Sequence, residues 1–229
     1  MPGLPRAQDL GGKNATLNAH PEVLTPQQRE VLRQVGSRAG GHGFYLGGGT
    51  ALAIHLGHRQ SVDLDWLTAE RIDNPLELAR ELQDYGLELQ IGSVQRGTLH
   101  GEIHGVRVSF FEYRYPLLEP LVDLPDLACR VASLEDLAAM KLLAVDQRGA
   151  KKDFLDIHAL GRHGWSIADM VGLFCRKFAV EDISRVLYSL CYFDDADPDP
   201  MPQMHAGVAW EEAKADIRAW VKATSSGAE

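Results

Sequence analysis

Cysteine is scarce in this chain of 229 residues: Cys129, Cys175 and Cys191 form an odd set without the paired spacing of a zinc site. That excludes a disulfide framework and a thiolate metal centre, and the three are expected to be reduced, buried thiols. An excess of positive charge is also missing. The formal net charge is −9, which argues against broad, non-specific binding of DNA, because such binding needs a basic footprint. A small basic rim could still dock an RNA end. No apolar run approaches membrane-spanning length, no stretch reads as a signal peptide and there are no internal repeats, so the expectation is a cytoplasmic protein without a membrane partner. There is no HExxH pattern, and His55 and His58 therefore read as packing or substrate-orienting groups rather than zinc ligands.

What is present is ordinary in bulk and specific in one place. The composition, 45% hydrophobic and 24% charged, suits one mid-sized domain or a core with a helical appendage, long enough to bury a substantial interior. The specific place is FYLGGGTALAIHLGHRQSVDLDW, Phe44 to Trp66. Phe44-Tyr45-Leu46 reads as a buried strand, Gly47-Gly48-Gly49 as a tight turn, and Thr50 as the cap of a helix over Ala51 to Leu56. Ser61 to Trp66 alternates, so Asp63 and Asp65 share one strand face while Val62 and Leu64 take the other.

Two familiar phosphate loops are absent. The Walker pattern needs a lysine after the glycines, and none follows Gly49; the dinucleotide fingerprint needs a glycine where Leu52 stands. Glycine amides at a helix start nevertheless make an anion site suited to phosphates. Two carboxylates side by side repel each other unless a cation lies between them. Oxygen ligands with open positions suit Mg²⁺, which completes its shell with water and substrate phosphates. Taken singly, a glycine turn before a helix is common and an Asp-x-Asp pair is often a solvated strand edge. Their conjunction describes a nucleoside-triphosphate site.

The rest of the chain frames this stretch. Met1 to His20 lacks periodicity and is expected to be loosely ordered. Thr25-Pro26 opens a helix to about Arg38, and Pro75 to Tyr85 is another. Strands are expected over Leu87–Val94, Thr98–His104 and Val106–Tyr113, with a hairpin at Gly105. Pro116 to Asp126 reads as a connector. Ser133-Leu134-Glu135-Asp136 has the form of a capping box and opens a helix to about Gln147; helices follow over Lys152–Leu160, Trp165–Phe178, Glu181–Leu190 and Trp210–Val221. Tyr192 to Pro200 reads as a solvated acidic loop. On spacing alone, the block around Lys152 and Asp156 is a solvated helix with an i,i+4 ion pair.

Gly48-Gly49-Thr50 followed by Asp63-Leu64-Asp65 resembles the first motif of the polymerase-beta-type nucleotidyltransferase superfamily. GGTALAIHLGHRQSVDLDW is more narrowly similar to its AbiEii branch, which includes the toxins of type IV toxin–antitoxin pairs. Lys141, Arg148 and Lys152-Asp153-Phe154-Leu155-Asp156 resemble that branch's late helical motif. The resemblance implies an α/β fold with a mixed-sheet nucleotidyltransferase core over about 21–132, followed by a helical bundle over 133–229. It implies transfer of a nucleoside monophosphate from an NTP to an acceptor hydroxyl, at an RNA end such as the tRNA 3′ end or on protein, with an antitoxin protein as partner. Asp63 and Asp65 would hold Mg²⁺ or Mn²⁺ in two-metal fashion. Gly48, Gly49 and Thr50 would cradle phosphates, Lys141 and Arg148 would neutralise their charge, and Asp153 would be the late-motif acid.

One position departs from the superfamily pattern. The third carboxylate aligns with Ser109, a weaker ligand for Mg²⁺; Glu102 and Glu112 are the nearby substitutes, and Glu112 has the wrong strand parity. Two rival readings follow: a nucleotide- or partner-binding module without turnover, which Ser109 supports, and a metal-dependent phosphohydrolase.

Overall fold

A computed structural model of the chain describes residues 19–205 and 207–226. The expectation for Met1 to His20 therefore lies, up to Asn18, outside the described residues. The chain divides into two compact units, one spanning Ala19–Ser133 and the other containing Leu134 onward.

The first unit is built on a seven-stranded mixed sheet in the order β3-β4-β5-β2-β1-β7-β6. Its strands are β1 (Tyr45–Gly47), β2 (Asp63–Thr68), β3 (Leu89–Gln95), β4 (Thr98–Ile103), β5 (Val106–Glu112), β6 (Val122–Leu124) and β7 (Cys129–Val131). Its helices are α1 (Pro26–Ala39), α2 (Gly48–Leu56) and α3 (Pro75–Asp84). Pro75 at the first helical position and the Asn74 side chain, which accepts from the amides of Leu76 and Glu77, start α3. Helix α1 packs on β7, α2 on β1 and β2, and α3 on β3 and β4. Leu46, Leu52, Ile54, Leu64, Trp66, Leu99 and Phe110 are fully buried between these layers.

The centre of the sheet fixes the register of the chemistry. β2 runs antiparallel to β1, with Asp65 opposite Gly47, and parallel to β5, with Asp63 beside Arg107 and Asp65 beside Ser109. β4 and β5 form a hairpin over His104 and Gly105, both at positive φ as a two-residue type I′ turn requires, and this sets His100 opposite Ser109.

Two expectations are corrected. The connector over Pro116 to Asp126 contains β6, and β7 follows it; Leu46 of β1 pairs with Val131 in parallel, so the sheet extends beyond the glycine turn. Three-residue strands carry too little alternation to be read from sequence. Of the cysteines only Cys129 is buried; Cys175 is half-buried and Cys191 exposed, and all three are free. Burial pushes the Cys129 thiol up to about 12, which makes it an inert core group.

The second unit is helical: α4 (Leu134–Gln147), α5 (Lys151–Arg162), α6 (Ile167–Phe178), α7 (Ser184–Ser189) and α8 (Trp210–Ser226). Helix α4 packs on α5, α6 and α7, and α8 closes on α5 and α6. Ser166 and Asp169 form a reciprocal capping box at the start of α6. The acidic loop expected over Tyr192 to Pro200 is structural: Lys151 donates to the carbonyls of Asp197 and Asp199, and Lys214 and the Trp210 indole both donate to Asp197. No helix among the described residues is long and apolar enough to cross a membrane.

Candidate active site

The glycine turn and the carboxylates form one structure. Gly47 is the N-cap of α2, and Gly48 follows at φ +66°, left-handed backbone that favours glycine. A β-carbon on Gly48 would come within 2.3 Å of Asp65 Oδ2, so the Asp65 carboxylate lies against the backbone that opens the helix. A β-carbon on Gly49 would meet the Arg59 guanidinium at 2.6 Å. Arg59 is buried and donates to the Gln60 carbonyl at 2.8 Å, which sets a positive charge behind the turn.

Thr50 is not the helix cap. It is the third residue of α2 and fully buried, and its hydroxyl donates to the Asp63 carbonyl. The left-handed turn at Gly48 already starts the helix, and the threonine ties α2 to the carboxylate strand instead. Asp63 and Asp65 are both half-buried on one face of β2, with Leu64 and Trp66 buried on the other. The Asp63 carboxylate is held by Arg107 at 2.7 Å, and the arginine side chain is 66% exposed. This guanidinium offsets the repulsion expected between the paired carboxylates.

Ser109 stands beside Asp65, and its hydroxyl pairs with His100 Nδ1 at 2.9 Å. Glu112 lies at the far end of β5, beside Thr68, and accepts from the Ile72 amide; Glu102 faces Arg107 across the hairpin. Among the described residues, no group of three or more His, Cys, Asp or Glu is arranged to hold a metal ion. Two carboxylates with a solvent-open side nevertheless fit Mg²⁺, which keeps several waters and takes other ligands from phosphates. A groove of about 490 Å³ opens at Asp63 and crosses β5 and β4 to β3.

In the helical unit the late-motif residues meet at one carboxylate. Lys141 is buried and its ammonium lies 3.2 Å from Asp153 and 2.6 Å from Asp156, both fully buried. Arg148 grips Asp153 bidentately, at 2.7 and 2.9 Å, with its own side chain 56% exposed. Burial pushes the Asp153 pKa up, but the Arg148 hydrogen bonds and the charges of Lys141 and Arg148 outweigh it and hold the carboxyl below its ordinary range. The Lys152–Asp156 pair is replaced: Asp156 turns inward to Lys141 and Lys152 faces solvent. Lys141, expected on a triphosphate, has its charge committed to two carboxylates.

Arg59, Arg107 and His100 were not singled out from sequence. A signal for the last two existed. Once Ser109 is aligned beside Asp65, Arg107 falls beside Asp63, and a two-residue turn at His104-Gly105 carries His100 to Ser109.

The comparisons agree with this architecture. The family model described as nucleotidyl transferase AbiEii toxin, type IV TA system, matches residues 30–228. An uncharacterised protein of Aquifex aeolicus is 37% identical over 201 residues, covering 87% of this chain and 96% of its own. Among solved structures, the nucleotidyltransferase toxin MenT4 of Mycobacterium tuberculosis superposes with a TM-score of 0.56 at 17% identity, covering 96% of this chain and 90% of that one. JHP933 of Helicobacter pylori gives 0.54 at 16%, covering 92% and 94%. At such identities these two likenesses speak for the fold. The family match over most of the chain speaks for the chemistry: this chain belongs to the AbiEii nucleotidyltransferase toxin family of type IV toxin–antitoxin systems.

Proposed function

We propose that the enzyme transfers a nucleoside monophosphate from an NTP to an acceptor hydroxyl, at a site made by Gly48, Gly49, Thr50, Asp63 and Asp65. The contact between Gly48 and Asp65 carries this reading. It joins phosphate-binding amides to a carboxylate without an intervening side chain, so a triphosphate held at the helix start lies beside both acids. The acceptor oxygen bonds to the α-phosphorus, the bond from that phosphorus to the β-phosphate oxygen breaks, pyrophosphate leaves and the hydroxyl proton passes to water. Asp63 and Asp65 would hold Mg²⁺ or Mn²⁺, which when bound acidifies the acceptor hydroxyl and steadies the leaving group.

The residues themselves do the positioning. The Gly48, Gly49 and Thr50 amides orient the phosphates, and Arg59 adds charge from behind. Arg107 serves as counter-ion to Asp63 and releases it to a stronger cation. Asp153, itself paired with Lys141, holds Arg148, whose partly exposed guanidinium is the group of that cluster suited to phosphate oxygens. An antitoxin protein is the partner that a type IV toxin–antitoxin family suggests, and free cysteines suit the cytoplasm as the compartment.

A second reading has one observation behind it. Ser109, paired with His100 where the superfamily carries a third acid, suits a module that binds nucleotide without turning it over. Equilibrium dialysis with each labelled NTP and Mg²⁺, followed by a pyrophosphate assay, separates the two. Binding with pyrophosphate release supports the transferase; binding without release supports the module. Release of inorganic phosphate instead would make the protein a phosphohydrolase.

A further inference from the structure

We propose that His100, acting through the Ser109 hydroxyl, takes up the proton that the acceptor hydroxyl loses on its way to water. The inference rests on the reading of Asp63 and Asp65 as the reacting centre and names the groups that carry its proton away. Sheet register carries it. Asp65 lies beside Ser109, and Ser109 lies opposite His100. Their neighbours Leu64, Val108 and Leu99 are buried on the other face. The three side chains therefore form one row across β2, β5 and β4, with roughly 4.8 Å between strands. His100 Nδ1 and the Ser109 hydroxyl are 2.9 Å apart. The His100 ring also meets Phe111 edge-on, with centroids 5.4 Å apart and planes at 79°, which fixes the direction of Nδ1.

A second row runs beside the first, and the contrast selects between them. Asp63 lies beside Arg107, which faces Glu102 across the hairpin. Arg107 holds Asp63 at 2.7 Å, and a guanidinium has donors only, so it cannot pass a proton from the reacting centre to Glu102. A serine hydroxyl both accepts and donates, so it can hand a proton on. Imidazole is the uncharged side chain that takes one up near neutral pH. Ser109 and His100 are both half-buried and line the groove that opens at Asp63. An oxygen bound beside Asp65 can therefore reach Ser109, and water can reach His100. As the acceptor oxygen bonds to the α-phosphorus, its proton moves to Ser109 Oγ. The serine gives its own proton to His100 Nδ1, and pyrophosphate leaves with the electrons of the broken P–O bond. The imidazolium then loses a proton to water, and the serine is unchanged. The relay requires the neutral tautomer with its proton on Nε2 and Nδ1 bare.

The test uses the full chain, Mg²⁺, each NTP labelled at the α-phosphate and a gel-filtered cell extract as the source of acceptors. Label entering RNA or protein, above the level of Asp65→Asn, gives turnover, and equilibrium dialysis gives NTP affinity. His100→Asn keeps a group that accepts a hydrogen bond from Ser109 but does not take its proton; His100→Ala removes the group altogether. Both should lower turnover about a hundredfold, the low end of what general-base catalysis contributes, with NTP affinity within twofold of wild type. Ser109→Asp puts a carboxylate beside Asp65 that takes the proton directly. Added to His100→Asn, it should recover turnover at least tenfold. Undiminished turnover in folded His100→Asn overturns the proposal, and so does the absence of that recovery. Loss in His100→Ala alone makes the pair a brace between β4 and β5. Loss of NTP affinity in both variants assigns it to nucleotide binding, and either result also overturns the relay. A wild type that binds NTP but moves no more label than Asp65→Asn refutes the transferase reading itself, and the relay falls with it.

Discussion

Gly48 does two jobs that no other residue can combine. Its left-handed backbone turns the chain from strand into helix, and its missing side chain leaves room for the Asp65 carboxylate. Gly48→Ala should cost about 1–2 kcal/mol in backbone strain and displace Asp65 as well. The expected result is a folded protein by circular dichroism with NTP affinity at least tenfold lower. Arg107 gives a second test with the opposite sign. It neutralises Asp63 in the absence of metal and competes with any cation that binds there. Arg107→Gln should therefore melt lower than wild type without metal, yet gain more in melting temperature when Mg²⁺ is added, because binding to the native state alone stabilises it by mass action. An unchanged Mg²⁺-induced shift, measured by differential scanning fluorimetry, would show that Asp63 is not a metal ligand.

Ion pairs from Lys141 to Asp153 and Asp156 join α4 to α5 in addition to their packing. Removing one partner of a buried ion pair leaves an uncompensated charge, so Lys141→Ala should cost about 3–5 kcal/mol in urea unfolding. Arg148→Ala removes the bidentate hydrogen bonds to the buried Asp153 carboxylate, so it should cost about 1.5–3 kcal/mol and lower NTP affinity as well. The Asp153 pKa is lower in the fold than its ordinary value, so its ionised form stabilises the protein above that value and the contribution is lost as pH falls through the folded pKa. The stability difference between wild type and Asp153→Asn should therefore be full at neutral pH and shrink below about pH 4.

Much of this was legible before any coordinates. The glycine turn is legible as a break in an apolar run, and the Asp-x-Asp face from Asp63 and Asp65 alternating with buried Leu64 and Trp66; the role of the helical block is carried by the resemblance alone. The hidden parts obey other rules. β7 is set by a single parallel partner rather than by its own pattern. Thr50 looks like a cap but is claimed by a carbonyl thirteen positions away. Lys141 is expected on a triphosphate because nothing local shows that two carboxylates on the next helix enclose it.

The molecule as a whole combines a sheet unit that gathers the carboxylates and the cradle with a helical unit whose cations converge on Asp153. The family to which the chain belongs is one of nucleotidyltransferase toxins. If Asp63 and Asp65 serve nucleotidyl transfer, the decisive experiment follows the nucleotide. Purified protein is incubated with Mg²⁺, total cellular RNA and each NTP labelled at the α-phosphate, and the products are resolved by size beside those of Asp65→Asn. Wild type should move label into RNA with stoichiometric pyrophosphate, and Asp65→Asn should move at least a hundredfold less, an estimate on the order of the loss of a main catalytic electrostatic contact. Label appearing only as free nucleotide, or transfer undiminished in Asp65→Asn, would contradict that role.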